Sequence, residues 1–123
     1  HRVLSSFDVW GGQSTLITIN TTTKFYEKNP KAIRAVFQAL KEATAMANKD
    51  RKAALADYIS VTNEKLSPEV QEAFLNDKDI NFQVAPRGLQ KVAEFMFLAG
   101  AVKQKSTGWK NLFFPIVYGE SGS

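Results

Sequence analysis

The longest helical pattern in this chain lies between residues 29 and 49. The positions expected to face the core are spaced three and four residues apart, and they are Ile33, Val36, Phe37, Leu40 and Thr44. Such spacing places them on one face of a helix. Asn29 is a favoured N-cap, and Pro30 suits the first helical position because its missing N–H would have no partner there. The pattern therefore predicts a helix from Pro30 with one face against a core.

Other segments carry their own helix start signals. Thr21 or Thr22 can cap a short helix in TTTKFYEK, Asp50 can cap the next one, and Ser67 precedes a proline at the start of another. A last long helix is predicted over residues 86–100, opened by a proline and ended by a glycine. The residues expected on buried sides are Leu55, Tyr58, Ile59, Thr62, Val70, Phe74 and Leu75. The segment VAEFMFLAGAV is apolar nearly all round, which predicts burial on several sides.

Two segments near the start of the chain have a different pattern. VLSS begins with the apolar residues Val3 and Leu4, and STLITIN is rich in β-branched residues, which predicts two short strands. Gly11 and Gly12 between them free the backbone for a turn, a crossover or the close approach of a ligand. A two-stranded sheet is marginal by itself. The sequence therefore predicts an α/β fold, mostly helical, with an incomplete sheet. Its strands would belong to a larger α/β body or pair with a second copy of the chain.

Composition narrows the possible chemistry. The 123 residues suit one folding unit, and none of them is a cysteine. Because there is no cysteine, disulfides and thiolate metal sites are excluded. The single histidine is residue 1, which excludes an internal Ser-His-Asp triad. The net charge of +4 comes from lysines scattered among acidic residues. This arrangement favours a solvated face over a nucleic-acid site. We predict no metal, no cofactor, no nucleic-acid partner and no enzymatic activity.

The loop around the paired glycines is the predicted ligand site, because ligands of open α/β sheets bind beyond the carboxyl ends of strands. The predicted site residues are Trp10, Gly11, Gly12, Gln13, Ser14 and Thr15. Trp10 can form an apolar wall or pack in the core, and the polar side chains after the glycines can donate hydrogen bonds to an oxyanion. The backbone N–H groups of Gly11 and Gly12 can also approach an anion.

Two further positions are weaker candidates for contact with an anion. The helix N-terminus at Asn29 and Pro30 offers unpaired N–H groups, although the proline removes one donor. Arg87 can hold a carboxylate or sulfonate in a forked geometry, or it can form a surface salt bridge.

Three stretches of the sequence resemble a known family. They are RVLSSFDVWGG, STLITINTTTKFYEKNPKAIRAVFQALKEA and STGWKNLFFP. Together they resemble the C-terminal portion of the periplasmic substrate-binding proteins of ABC importers for nitrate, sulfonate and taurine. The resemblance implies a type II periplasmic-binding fold with two lobes. Residues 1–14 would supply a last strand and the hinge crossover, and residues 15–123 a returning strand and the helices of the first lobe.

The function implied by this resemblance is transport. The chain would be part of an extracytoplasmic, periplasmic or membrane-tethered component that captures a small anion and delivers it to an ABC permease. A homodimer through the unpaired strands is a further expectation. The alternatives are a free-standing helical protein-interaction module and a relative that binds a pyrimidine precursor.

Overall fold

The computed structural model describes residues 3–123, and these residues form helices and connecting segments without any strand. The helices are α1 (Ser6–Trp10), α2 (Thr23–Lys28), α3 (Pro30–Lys49), α4 (Arg51–Thr62), α5 (Pro68–Asn76) and α6 (Leu89–Leu98). Two short 3-10 helices follow, Trp109–Leu112 and Pro115–Val117. The predicted α/β fold, with its type II periplasmic-binding lobe and incomplete sheet, is therefore wrong for this part of the chain. No helix among residues 3–123 combines the length and apolarity needed to cross a bilayer.

Both predicted strands have a physical reason for their absence. In the first, Ser5 caps helix α1: its hydroxyl accepts the Asp8 N–H at 3.1 Å, and the Asp8 carboxylate accepts the Ser5 N–H at 2.8 Å. This reciprocal capping box begins a helix. The second, STLITIN, has no neighbouring strand with which to pair among residues 3–123. High β propensity describes how well a residue fits a pleated, partly covered surface, so it does not create a strand in isolation.

Most of the predicted helix starts are confirmed. The Thr22 hydroxyl accepts the Phe25 N–H at 3.1 Å and the Asp50 carboxylate accepts the Ala53 N–H at 2.9 Å. The Ser67 hydroxyl accepts the Val70 N–H at 3.4 Å, and Pro30 opens α3. The last helix differs, because it begins at Leu89 rather than at the proline three residues earlier.

The chain divides into two compact units, His1–Arg34 with Val84–Ser123, and Ala35–Gln83. In the second unit, Leu55 on α4 is buried, and the rings of Phe74 and Phe82 lie 6.3 Å apart. The Arg51 guanidinium donates to the backbone carbonyls of Asp77 and Ile80. These contacts hold the segment after α5 against the start of α4.

The burial of the predicted apolar faces is uneven. Along α3, Ile33, Phe37, Leu40 and Thr44 are half-buried as the stripe predicts, whereas Val36 is exposed. On α6, Phe95, Met96 and Leu98 are exposed, so the prediction that this helix is buried on several sides is wrong. Of these three side chains, Leu98 is the most exposed, and Phe95 is partly covered by the Trp10 ring.

Aromatic rings pack the unit that contains both chain ends. Tyr26 of α2 stacks on Phe114 with ring centroids 4.1 Å apart. Trp109 meets Phe113 and Tyr118 edge to face at 6.2 and 6.3 Å. These contacts anchor the C-terminal segment, whose last residue, Ser123, lines a pocket in the same unit.

Candidate functional site

An open pocket of about 330 Å³ lies in the unit that holds α1 and α6. Its lining residues are Trp10, Gly11, Gly12, Gln13, Arg87, Gly88, Lys91 and Ser123. The volume is at the lower end of the range for small-molecule sites, which starts at about 300 Å³. The pocket can therefore admit a small ligand.

Gly11 and Gly12 form one wall of the pocket because they end helix α1. Gly11 has a φ of 71°, in the left-handed region that favours glycine at this position. Its N–H bonds to the Phe7 carbonyl, and the Gly12 N–H reaches the same carbonyl at 2.9 Å. Both amides are engaged in ending the helix. An anion in this conformation must therefore be held by other donors.

Lys91 is one of those donors. Its Nζ donates to the Trp10 carbonyl oxygen at 2.8 Å, which fixes the ammonium beside the glycine wall. An ammonium group carries three N–H donors, so two remain for solvent or a ligand. The Trp10 ring meets Phe95 of α6 edge to face at 6.1 Å. Trp10 thus packs against α6 and lines the pocket at the same time.

Arg87 is positioned through its backbone by Thr15. The Thr15 N–H donates to the Arg87 carbonyl at 2.8 Å, and the Arg87 N–H donates to the Thr15 hydroxyl, also at 2.8 Å. Gly88 follows, and a Cβ built there would lie 3.2 Å from the Gln13 carbonyl oxygen and 3.3 Å from the Ser14 Cβ. The segment after the glycines therefore packs closely against the start of α6.

The C-terminal residues occupy the N-terminus of α6. The Ser123 N–H donates to the Pro86 carbonyl at 2.9 Å. The Ser123 hydroxyl accepts the Gly88 N–H at 3.1 Å, and its backbone oxygen accepts the Leu89 N–H at 3.2 Å. The first donors of the helix are thus satisfied by oxygens of the tail. Two of the N-terminal N–H groups, those of Gly88 and Leu89, are therefore already paired within the chain.

Replacing Gly122 with alanine should release this tail. A Cβ there would lie 2.8 Å from Trp109 Cε2 and 2.9 Å from Pro86 Cγ, and both belong to rigid rings. We expect a loss of about 1–3 kcal/mol in the free energy of unfolding, as for other overpacked sites. The Leu89 amide should also lose protection in hydrogen exchange. Gly119→Ala is the matched control, because a Cβ at Gly119 has no neighbour within 4 Å. Equal effects of the two substitutions would contradict the prediction.

The structure places the predicted site residues in two groups. Trp10, Gly11, Gly12 and Gln13 line the pocket, while Ser14 and Thr15 lie beneath it against α6. Arg87 joins the first group, but the α3 start at Asn29 and Pro30 does not. A role for any of them in binding stays a prediction.

Sequence reasoning missed Lys91, Gly88 and Ser123. One signal for Lys91 was present, because it follows Arg87 by four residues at the start of a predicted helix. That spacing brings side chains to one side of a helix.

The lining side chains define an electrostatic preference. Arg87 and Lys91 contribute two positive charges, and the lining has no aspartate or glutamate among the described residues. The nearby Asp8 carboxylate bonds to Ser5 at the start of α1. Within residues 3–123 there is no cluster of three His, Asp or Glu side chains suited to a metal ion. The chemistry that the pocket offers is charge-assisted hydrogen bonding to an anion.

Comparison of the chain with family models, with curated proteins and with solved structures gave no match.

Proposed function

We propose that this chain binds a small anion such as a sulfonate, taurine or nitrate in the pocket lined by Trp10, Arg87 and Lys91. The observation that carries the proposal is the pairing of Arg87 and Lys91 in one pocket whose described lining has no carboxylate side chain. Delivery of the anion to an ABC permease, outside the cytoplasm, is the second part of the proposal. That part is supported by the sequence resemblance to importer substrate-binding proteins.

Each lining group has a distinct part in the proposed binding. The Arg87 guanidinium contributes a positive charge, and its planar geometry suits a sulfonate or carboxylate. The Lys91 ammonium adds a second positive charge, held in place by the Trp10 carbonyl. The Gln13 side chain can donate one further hydrogen bond, and the Trp10 ring supplies an apolar wall. No bond is made or broken in this function.

The affinity should be low and sensitive to salt. The pocket is open, and charge interactions at exposed sites are screened at a distance of about 8 Å at physiological ionic strength. We therefore expect dissociation constants in the millimolar range, equivalent to about −4 kcal/mol. Raising the salt concentration should weaken binding further.

Arg87→Gln and Lys91→Gln test the proposal directly. Each removes a charged hydrogen-bond donor, and each should weaken taurine binding by at least about tenfold, since charge-assisted bonds contribute about 1.5–3 kcal/mol. The measurement is an NMR titration that follows the Trp10 indole N–H, with taurine, an alkanesulfonate and nitrate as ligands.

Lys78→Gln is the matched control, because it removes one exposed positive charge from the other unit. If all three variants weaken binding equally, the anion responds to net charge and not to the pocket. Unchanged binding in Arg87→Gln and Lys91→Gln would also reject the proposal.

A further inference from the structure

The chain exposes more surface than a folded protein of its size normally does. Its accessible area is 9595 Å², whereas a folded monomer of 13.7 kDa exposes about 6,600 Å². Two separate folded bodies with the sizes of its two units would together expose about 7,900 Å². The excess over either value is larger than the roughly 800 Å² that each partner buries in a standard interface. The chain therefore has enough uncovered surface for a stable association.

Part of this surface is a continuous segment, residues 16–21. The side chains of Leu16, Ile17 and Ile19 are 92%, 81% and 70% exposed. The segment contains no helix, turn or bend. From residue 16 to residue 21, no backbone group bonds to another backbone group within the described part of the chain. The Thr18 carbonyl accepts the Asn20 side-chain amide at 3.4 Å. Exposed apolar side chains thus lie beside backbone groups that have no backbone partner in the described part of the chain.

We propose that residues 16–21 pair with the same residues of a second copy of this chain. The pairing is an antiparallel β-ladder across a two-fold axis, and it is independent of the proposed anion site. Such a ladder would satisfy the exposed backbone groups of both copies. It would also place Ile17 and Ile19 on one face of the paired strands, because alternate side chains share a face.

The charge pattern of the segment favours a second copy as the partner. Residues 13–23 contain no charged side chain, so pairing the segment with itself brings no like charges together. Exposed strands that resist association usually carry lysine or proline, and this segment has neither. A symmetric pair also needs only one surface, which is the general feature of two-fold dimers.

The first test is the mass of the chain in solution by light scattering and sedimentation equilibrium. We expect twice the chain mass for the unmodified protein at about 100 μM, a concentration chosen for a micromolar dimer. The double variant Ile17→Lys with Ile19→Lys should be mainly monomeric at the same concentration, which corresponds to a dissociation constant raised about a thousandfold, from about 1 μM to about 1 mM. Val61→Lys is the control, since Val61 is 82% exposed on α4 in the other unit. Circular dichroism checks that all variants keep their helices.

A cross-link gives a second readout that does not depend on disrupting the dimer. The chain has no cysteine, so Thr18→Cys introduces a single thiol at the centre of the segment. Oxidation should join two copies through Thr18→Cys much faster than through a control Val61→Cys. A monomeric unmodified chain, large aggregates in place of a dimer, or equal cross-linking of both thiols would overturn the proposal. Protection of residues 16–21 only by a different added protein would overturn it as well.

Discussion

Replacing Gly88 with alanine should destabilise the protein by about 2–5 kcal/mol, through two effects at one position. Gly88 has a φ of 64°, and the left-handed region costs a residue with a Cβ about 1–2 kcal/mol. The new Cβ would also lie 3.2 Å from the Gln13 carbonyl oxygen. Backbone atoms adjust less easily than the end of a flexible side chain, and overpacking costs about 1–3 kcal/mol.

Gly100 offers a control for the first of these effects. It has a φ of 73°, but a Cβ there meets nothing within 4 Å. Gly100→Ala should therefore lower the free energy of unfolding only by the cost of a left-handed backbone for alanine, about 1–2 kcal/mol. Urea denaturation followed by circular dichroism measures both free energies of unfolding. If the two losses were equal, the contact between α6 and Gln13 would contribute nothing to the stability.

Hydrogen exchange adds a local readout to this comparison. The Thr15 N–H bonds to the Arg87 carbonyl at 2.8 Å, next to the affected position. Gly88→Ala should push residues 13–15 away from α6 and speed exchange at Thr15, whereas Gly100→Ala should not. Such a result would show that Gly88 holds the floor of the pocket in place.

Leu55→Ala should have the other large effect, a loss of about 2–5 kcal/mol. Leu55 is only 8% exposed and is the one large apolar side chain that is buried among the described residues. Its removal leaves a cavity in the unit Ala35–Gln83 in addition to the lost apolar burial. The thermal and urea midpoints, recorded by circular dichroism, measure the loss.

Leu98→Ala is the matched control for this prediction. It makes the same chemical change in a helix at a side chain that is 83% exposed, so its effect should stay within about 0.5 kcal/mol. A small effect of Leu55→Ala, close to that of Leu98→Ala, would show that α4 does not depend on its buried leucine.

The capping box between Ser5 and Asp8 explains why the predicted strand VLSS is absent and helix α1 begins there instead. Ser5 and Asp8 stand three residues apart, which is the spacing of a capping box, but the usual partner is glutamate or glutamine. The β-branched residues on both sides of the paired glycines suggested strands instead. The structure shows that Gly11 ends a helix, with its N–H on the Phe7 carbonyl. The alternative of a turn was therefore closer to the structure than a crossover between lobes.

The sequence by itself determined the helix starts at Thr22, Asp50 and Ser67, and the prolines fixed the first residues of α3 and α5. In each cap a side chain bonds a backbone N–H three residues ahead, so all the atoms involved lie within one turn. Only the tertiary structure decided that residues 14–20 form no strand and that Lys91 and Ser123 join the pocket. A strand needs a partner, and a pocket needs side chains that lie far apart in the chain. The spacing of residues along the chain identifies neither the partner of a strand nor the distant side chains that meet in a pocket.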